Sequence, residues 1–533
     1  MVGTWNNFSP VPFWDMWNGY LEFYLRSAQG WAPWWELHNE HRLVLPKALF
    51  WLELRFLNGS LVGLFVLNWL LALSVFLVFA FVLSRLTPAW RSSRGFWVAA
   101  GLLGILSFSW IQADNFTWAF QSQFFLAYLL PLLAFCVLAE ARSQDSNRLF
   151  VLALVLGVLS AGTMANGVLA LPVLALLALV LGLGWPRVLL IGALAVLVIL
   201  GYFHDYHTPD GHRSMVEGMV EHPLELLEYV LLYLGGPLYF MALNASQWLA
   251  ELGGCFLIGS SLFFTLRFLS ADQVRPQQWA LLGFLLFVGG TAVGTASGRV
   301  TLGLDQALVS RYMTPVLMAW CVLVVLYFNH FGERLFASTR NLMLFALVPL
   351  LMLPVQARTL KSPPVLFERR VAGLALELGA LDTEIIGKVY FDAPRALSIA
   401  QRARPLRLSV FGYAGIAGAQ SRLGETLATL PTRPCRGSLD RTAPLVGEPG
   451  FERIEGWLYE PETERVPQSV LLVGPQGVIQ GYALTGRARA DVQSLVSPQA
   501  GLGGFLGYRS TQGMSESAMF LVGQNPACLY KMR

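Results

Sequence analysis

Charge is scarce in this chain: only 13% of its 533 residues are Asp, Glu, Lys or Arg. So sparse a polar complement excludes an ordinary soluble domain, whose surface needs about twice that fraction. The formal net charge of +4 is small for such a length, which removes the electrostatic footprint of a nucleic-acid binder. There is no P-loop, no dinucleotide fingerprint and no Gly-x-Ser-x-Gly elbow. A nucleotide-driven pump and a serine hydrolase both lose support. Cysteine is nearly missing as well, with 5 in the chain. Met1 to Tyr20 has neither a basic leader nor an uninterrupted apolar run, so no signal peptide is read there.

What remains is apolar. Hydrophobic residues make up 55% of the chain, with 17 Trp and 35 Phe, and the mean hydropathy is +0.54. Runs of membrane-spanning length fall at 61–84, 96–112, 119–139, 149–163, 166–184, 187–203, 249–268, 277–297, 311–329 and 340–357. The expected class is a polytopic α-helical membrane protein of about ten spans. With the N-terminal stretch outside, the inner loops hold Arg85, Arg91, Arg94, Arg142, Arg148, Arg187, Arg267, Arg275, Arg334 and Arg340. The outer loops between spans hold Arg213, Arg299 and Arg311, a positive-inside asymmetry. An eleventh apolar run, 224–243, would break that alternation, and its Gly235-Gly236-Pro237 interrupts a helix. It reads as an external interfacial or re-entrant element. The same alternation expects a further span ahead of Met1.

Four regions follow: an external first loop over 1–58, a transmembrane region over 59–357, a mixed α/β linker over 358–434, and a β-rich domain over 435–533. The linker predicts a helix at 366–379 and strands at Lys388–Phe391 and Leu406–Phe411. Short apolar or alternating runs at 454–459, 469–473, 478–483 and 518–522, with a Gly474-Pro-Gln-Gly477 turn, predict a β-sandwich or barrel-like domain. Cys136, Cys255 and Cys321 fall in spans and read as small hydrophobes. Cys435 and Cys528 bracket the β-rich domain, and read either as a disulfide formed in an oxidising compartment or as two unrelated free thiols.

Polar residues gather in the outer loops. Asp15 sits in Phe13-Trp-Asp-Met-Trp17, where partial burial makes it a candidate base; the plain alternative is an aromatic interfacial belt with Asp15 capping a short helix. His38, Asn39, Glu40, His41 and Arg42 are consecutive between a Trp-rich stretch and an apolar run, a cavity wall or a solvated loop. Asn115, Gln121 and Gln123 enter the next span as sugar-binding amides or helix-helix hydrogen bonders. Arg299 and Arg311, the latter followed by Tyr312, suit a phosphate or diphosphate of a lipid-linked substrate, or lipid headgroups. The loop His204-Asp-Tyr-His-Thr-Pro-Asp-Gly-His212 matches no strong metal signature, so neither a divalent metal nor another cofactor is called for.

Phe13-Trp-Asp15, His38-Asn-Glu-His-Arg42, Phe120-Gln-Ser-Gln-Phe124 and Ser310-Arg-Tyr312 together resemble the GT-C superfamily of membrane glycosyltransferases, over most of residues 10–330. The resemblance implies a GT-C-like fold with a C-terminal periplasmic α/β plus β-sandwich-like domain, in a bacterial inner membrane. It implies inverting transfer of a sugar, such as the pentose arabinofuranose, from a polyprenyl-phosphate donor to a periplasmic glycan, lipopolysaccharide or protein such as pilin. Asp15 matches the family's first-loop base. Two departures stand out: the family's first helix is missing ahead of Asp15, and its acidic pair is reduced to Asp15 with Glu22, Glu36 or Glu40 as partner. The competing expectation is a transporter or flippase of a lipid-linked sugar or cell-surface polymer, which predicts internal repeats and polar residues near the midplane.

Overall fold

The computed structural model describes residues 1–88, 91, 93–207, 220–336, 338–511 and 520–532. Helix dominates, and a β-sheet of half-barrel form closes the chain. Contacts divide it into two compact units: residues 1–5, 31–49 and 64–361 form one, and 6–30, 50–63 and 362–533 the other. The stretch 1–58 therefore contributes to both units.

In the first unit the long helices are α1 (Val44–Leu57, whose second half counts with the other unit), α2 (Val62–Leu86), α3 (Arg94–Ser107) and α4 (Ser122–Gln144). After α5 (Asn147–Ser160) and α6 (Ala170–Val180) come α7 (Trp185–Phe203), α8 (Pro223–Met241), α9 (Gln247–Leu269), α10 (Pro276–Arg299), α11 (Met313–Phe336) and α12 (Thr339–Ala357). Among the described residues, 9 helical segments are long and apolar enough to cross a membrane. Eight of the expected spans coincide with them. The expected spans at 149–163 and 166–184 are helical but shorter, α5 covering 14 residues and α6 covering 11. At 1.5 Å per residue, α5 rises only about 21 Å. The rest of their reach comes from the 3₁₀ turn Ala165–Leu169 between them.

The ends of this bundle are marked by polar contacts. Arg85 pairs with Glu140, Gln277 Nε2 donates to Glu140 at 3.0 Å, and Arg275 donates to the Leu86 carbonyl at 2.6 Å. Arg142 reaches the Leu181 carbonyl at 2.9 Å, and Arg187 reaches Asn147 at 2.8 Å. These arginines, all assigned inside from the sequence, share one end. Arg275 and Arg299 flank α10, so Arg299 lies at the other.

The eleventh apolar run needs correction: 223–241 is one uninterrupted helix, α8, through Gly235-Gly236-Pro237. The glycines serve packing rather than breakage. A Cβ on Gly235 would lie 1.7 Å from the Ala250 carbonyl oxygen, and one on Gly254 would lie 2.3 Å from that of Leu231, so α8 and α9 touch backbone to backbone. At the proline turn, Trp320 Nε1 donates to the Leu234 carbonyl at 3.1 Å. Gln247, shortly after α8, donates to Asp305 at 2.7 Å, which puts the C-terminal end of α8 at the Arg299 end.

The second unit contains α13 (Val365–Leu378), matching the helix expected at 366–379, and α14 (Ala393–Ala403). The strands expected at Lys388–Phe391 and Leu406–Phe411 do not form. Residues 388–391 are turns closed by bonds such as Val389 N to Ile386 O at 2.9 Å, and 3₁₀ turns occupy Arg404–Leu406 and Ser409–Gly412. Left-handed backbone at Arg407 (φ 51°) and Ser409 (φ 55°) bars an extended run there.

Seven antiparallel strands follow: β1 (Arg436–Leu445), β2 (Glu448–Tyr459), β3 (Ser469–Val473), β4 (Ile479–Arg487), β5 (Gly504–Ser510), β6 (Phe520–Gln524) and β7 (Cys528–Lys531). Their order is β1-β2-β5-β4-β3-β6-β7 in a single sheet of half-barrel form, so of the sandwich or barrel-like forms expected the barrel-like one holds. Of the strand expected at 518–522, residues 518 and 519 lie outside the described residues. α13 packs on β4 and β5, and the segment leading into β1 folds back onto β7 through Pro434 and Leu529. Cys435 N donates to the Leu529 carbonyl and Leu529 N to that of Arg433, both at 2.8 Å. The Cys435–Cys528 disulfide, with Cα atoms 5.3 Å apart, locks that seam and leaves no open edge there.

α13 is tied to the sheet through Asp382, 2% exposed. It takes a bidentate pair from Arg453 (2.7 and 2.9 Å) and the Tyr508 hydroxyl at 2.8 Å. Cys136 and Cys321 are buried as expected of small hydrophobes, while Cys255 is exposed on α9.

Candidate functional site

At the Arg299 end of the first unit, His38 and His41 pair through their backbones, N to O at 2.8 and 3.0 Å. Asn39 (φ 53°) and Glu40 form the tip of that tight turn, a position asparagine tolerates well. Glu40 is thereby held out to Arg299, whose Nη2 donates to it at 3.1 Å. His41 stands on its other side, with Nε2 3.9 Å from the same carboxylate oxygen. The His41 Nδ1 accepts the Ala165 N–H at 3.3 Å. Tyr312 lies beneath both guanidinium groups, its ring centre 5.9 Å from Arg299 and 5.2 Å from Arg311.

The Ser310-Arg-Tyr312 turn is clamped from the 111–115 loop. Asn115 Nδ2 donates to the Arg311 carbonyl at 2.8 Å and to Thr314 Oγ1 at 2.6 Å, while Ser310 Oγ donates to the Ile111 carbonyl at 2.9 Å. Asn115 is thus a positioning residue. The two guanidinium groups, Arg299 and Arg311, are the groups here whose chemistry suits an anion.

Not every residue of the His38–Arg42 motif faces this cluster. Arg42 is 3% exposed, and it donates to the carbonyls of Tyr202 and Trp35, both at 2.7 Å, as well as to that of His204. It therefore holds loops together, and three of its five N–H donors are taken by backbone carbonyls. His38 is buried edge-on against Phe120, with ring centres 5.4 Å apart. Asn39 is exposed. Gln121 and Gln123 are buried at the start of α4, and each has an Oε1 without a hydrogen-bond partner among the described residues.

Asp15 belongs to the second unit. It lies inside the 3₁₀ turn Trp14–Met16 and does not cap it. Trp14 holds a left-handed backbone (φ 49°) and donates its N–H to the Val389 carbonyl at 2.7 Å. Burial pushes the Tyr390 phenol up; Arg395 opposes this, and the charges of Asp392, Glu22 and Asp15 add to it. Glu22 accepts from Arg395 at 2.8 Å and from Arg402 at 3.1 Å, so its carboxylate is already neutralised twice. Glu36 is exposed, and its carbonyl accepts Lys47 Nζ at 2.8 Å.

The sequence reading passed over two buried charges in α1. Lys47 bonds the Pro33 and Glu36 carbonyls at 2.7 and 2.8 Å. Glu53 accepts the Tyr20 hydroxyl, the Leu61 N–H at 2.7 Å and the Ser60 hydroxyl at 3.2 Å. Burial raises the Glu53 carboxyl above its ordinary range, against the pull of those donors. A charged residue within an apolar helix was the available signal.

Of the His204–His212 loop, Thr208 to His212 lie outside the described residues. His204 and Asp205 pair at 2.9 Å in an exposed position. Among the described residues no group of three or more His, Cys, Asp or Glu could hold a metal ion. Comparison with protein-family models, characterised proteins and solved structures finds no match to this chain.

Proposed function

We propose that this chain is a multi-pass membrane glycosyltransferase that moves a sugar from a polyprenyl-phosphate donor to an acceptor hydroxyl, with inversion, at the outer face of a bacterial inner membrane. The observation that carries the reading is the convergence of Glu40, Arg299, Arg311 and Tyr312 at one end of an apolar bundle. The acceptor oxygen attacks the anomeric carbon, its proton passes to a carboxylate, and the carbon–oxygen bond to phosphate breaks with its electrons on the phosphate. Arg299 and Arg311 stabilise that developing charge. Donor phosphate competes with Glu40 for Arg299, so binding of the donor releases the carboxylate that the next step needs. The Cys435–Cys528 bridge supports an oxidising compartment for the second unit.

Asp15 and Glu40 are rival bases, and one experiment ranks them. Purified protein in liposomes is given polyprenyl-phosphate carrying a labelled hexose or arabinofuranose, together with a panel of lipid, glycan and protein acceptors. Replacing the true base, by Glu40→Gln or Asp15→Asn, lowers transfer by about two to four orders of magnitude and spares donor binding. Glycosyl transfer that survives both substitutions, or a protein that releases no sugar from any lipid donor, rejects the reading.

A further inference from the structure

Buried polar atoms without a hydrogen-bond partner occur singly on several side chains, but Asn166 has two: both Nδ2 and Oδ1 are shut off from solvent and unbonded among the described residues. A carboxamide in that state is a standing cost to the fold unless something else completes it. The 3₁₀ turn Ala165–Leu169 that carries it is pinned at Gly167, where a Cβ would lie 1.9 Å from the Ser160 carbonyl oxygen, and Thr163 Oγ1 bonds that same oxygen at 2.6 Å. Its chain neighbour Ala165 donates to His41, which borders Glu40 and so Arg299. The turn also packs against α4 and α10, the helices that bring Gln123 and Arg299.

We infer that Asn166 is a specificity-determining residue that reads sugar hydroxyls beside the phosphate-binding arginines. A carboxamide offers a donor and an acceptor a short distance apart, which matches neighbouring hydroxyls on a sugar ring and does not match an alkyl chain or a bare anion. The inference rests on the transferase reading above, since that reading supplies the sugar.

The test measures binding of two probes to the full chain in nanodiscs: undecaprenyl phosphate alone, and undecaprenyl phosphate carrying a hexose or arabinofuranose. Asn166→Ala should leave affinity for the bare lipid phosphate unchanged and reduce the extra affinity due to the sugar by about tenfold. Asn166→Asp, which keeps the shape but loses the amide donor, should change which sugar is preferred. The thermal midpoint of Asn166→Ala should hold or rise, because the residue has no internal bond to lose. A sugar increment that survives Asn166→Ala, a wild-type protein with no sugar increment, or a drop in its thermal midpoint overturns the inference. Failure of Arg299→Ala to weaken the bare lipid phosphate instead sinks the transferase reading, so the two failures are separable.

Discussion

Arg42 and Arg299 show how little a residue's type says about its task. Both stand in polar stretches beside apolar runs, and the sequence offers either as a phosphate ligand. One guanidinium is spent on three backbone carbonyls, whereas the other meets a carboxylate and an aromatic ring. Arg42→Ala should therefore cost about 3 kcal/mol of stability, since it strands buried carbonyls, with lipid-phosphate affinity per folded molecule preserved. Arg299→Ala should do the reverse, and paired thermal-shift and lipid-binding titrations distinguish them. Glu53 gives a pH signature. Its carboxyl is raised by burial, so the native state holds its proton more tightly than the unfolded chain does. Stability from this group is complete below the ordinary carboxylate range and is lost as pH climbs toward the raised native value. Glu53→Gln, neutral throughout, should flatten that decline, and its advantage in thermal midpoint over wild type should grow from pH about 4 upward. Parallel curves for the two proteins would remove Glu53 as the cause.

At the scale of elements, long apolar runs were easy to read because twenty or so apolar residues leave a helix as the structure that satisfies its own backbone in lipid. Glycine was read wrongly. Gly235-Gly236-Pro237 looks like a break in isolation, yet the helix continues because α9 approaches closely enough to need a missing side chain. Gly235→Ala should then cost about 1 to 3 kcal/mol by forcing α8 and α9 apart. Gly259→Ala, on α9 where a Cβ meets nothing within 4 Å, should be neutral or stabilising. Equal thermal midpoints for the two variants would show that the close approach carries no strain. The strands misread at 388–391 and 406–411 failed for a related reason: short β-branched and aromatic runs fit a turn as well as a strand, and left-handed residues at Arg407 and Ser409 settle it.

For the whole molecule, the disulfide closes a separation of 93 residues. Cys435→Ser with Cys528→Ser should lower the stability of the sheet by about 4 to 5 kcal/mol on the loop-entropy estimate, read by denaturant unfolding with and without reductant. Recovery of both cysteines as free thiols from protein made in an oxidising compartment would contradict the bridge. Composition and hydropathy by themselves determined the helical class with helices apolar enough to span a membrane, most helix positions and the existence of a terminal β-rich domain, because each follows from local periodicity or from counting. The single curled sheet, the shared fate of Asn6–Gly30 with the C-terminal residues, the α8–α9 contact and the grouping of Glu40 with Arg299 and Arg311 were decided by tertiary structure. Those features join residues up to several hundred positions apart, and no local pattern encodes which distant carbonyl, carboxylate or backbone a given side chain will meet.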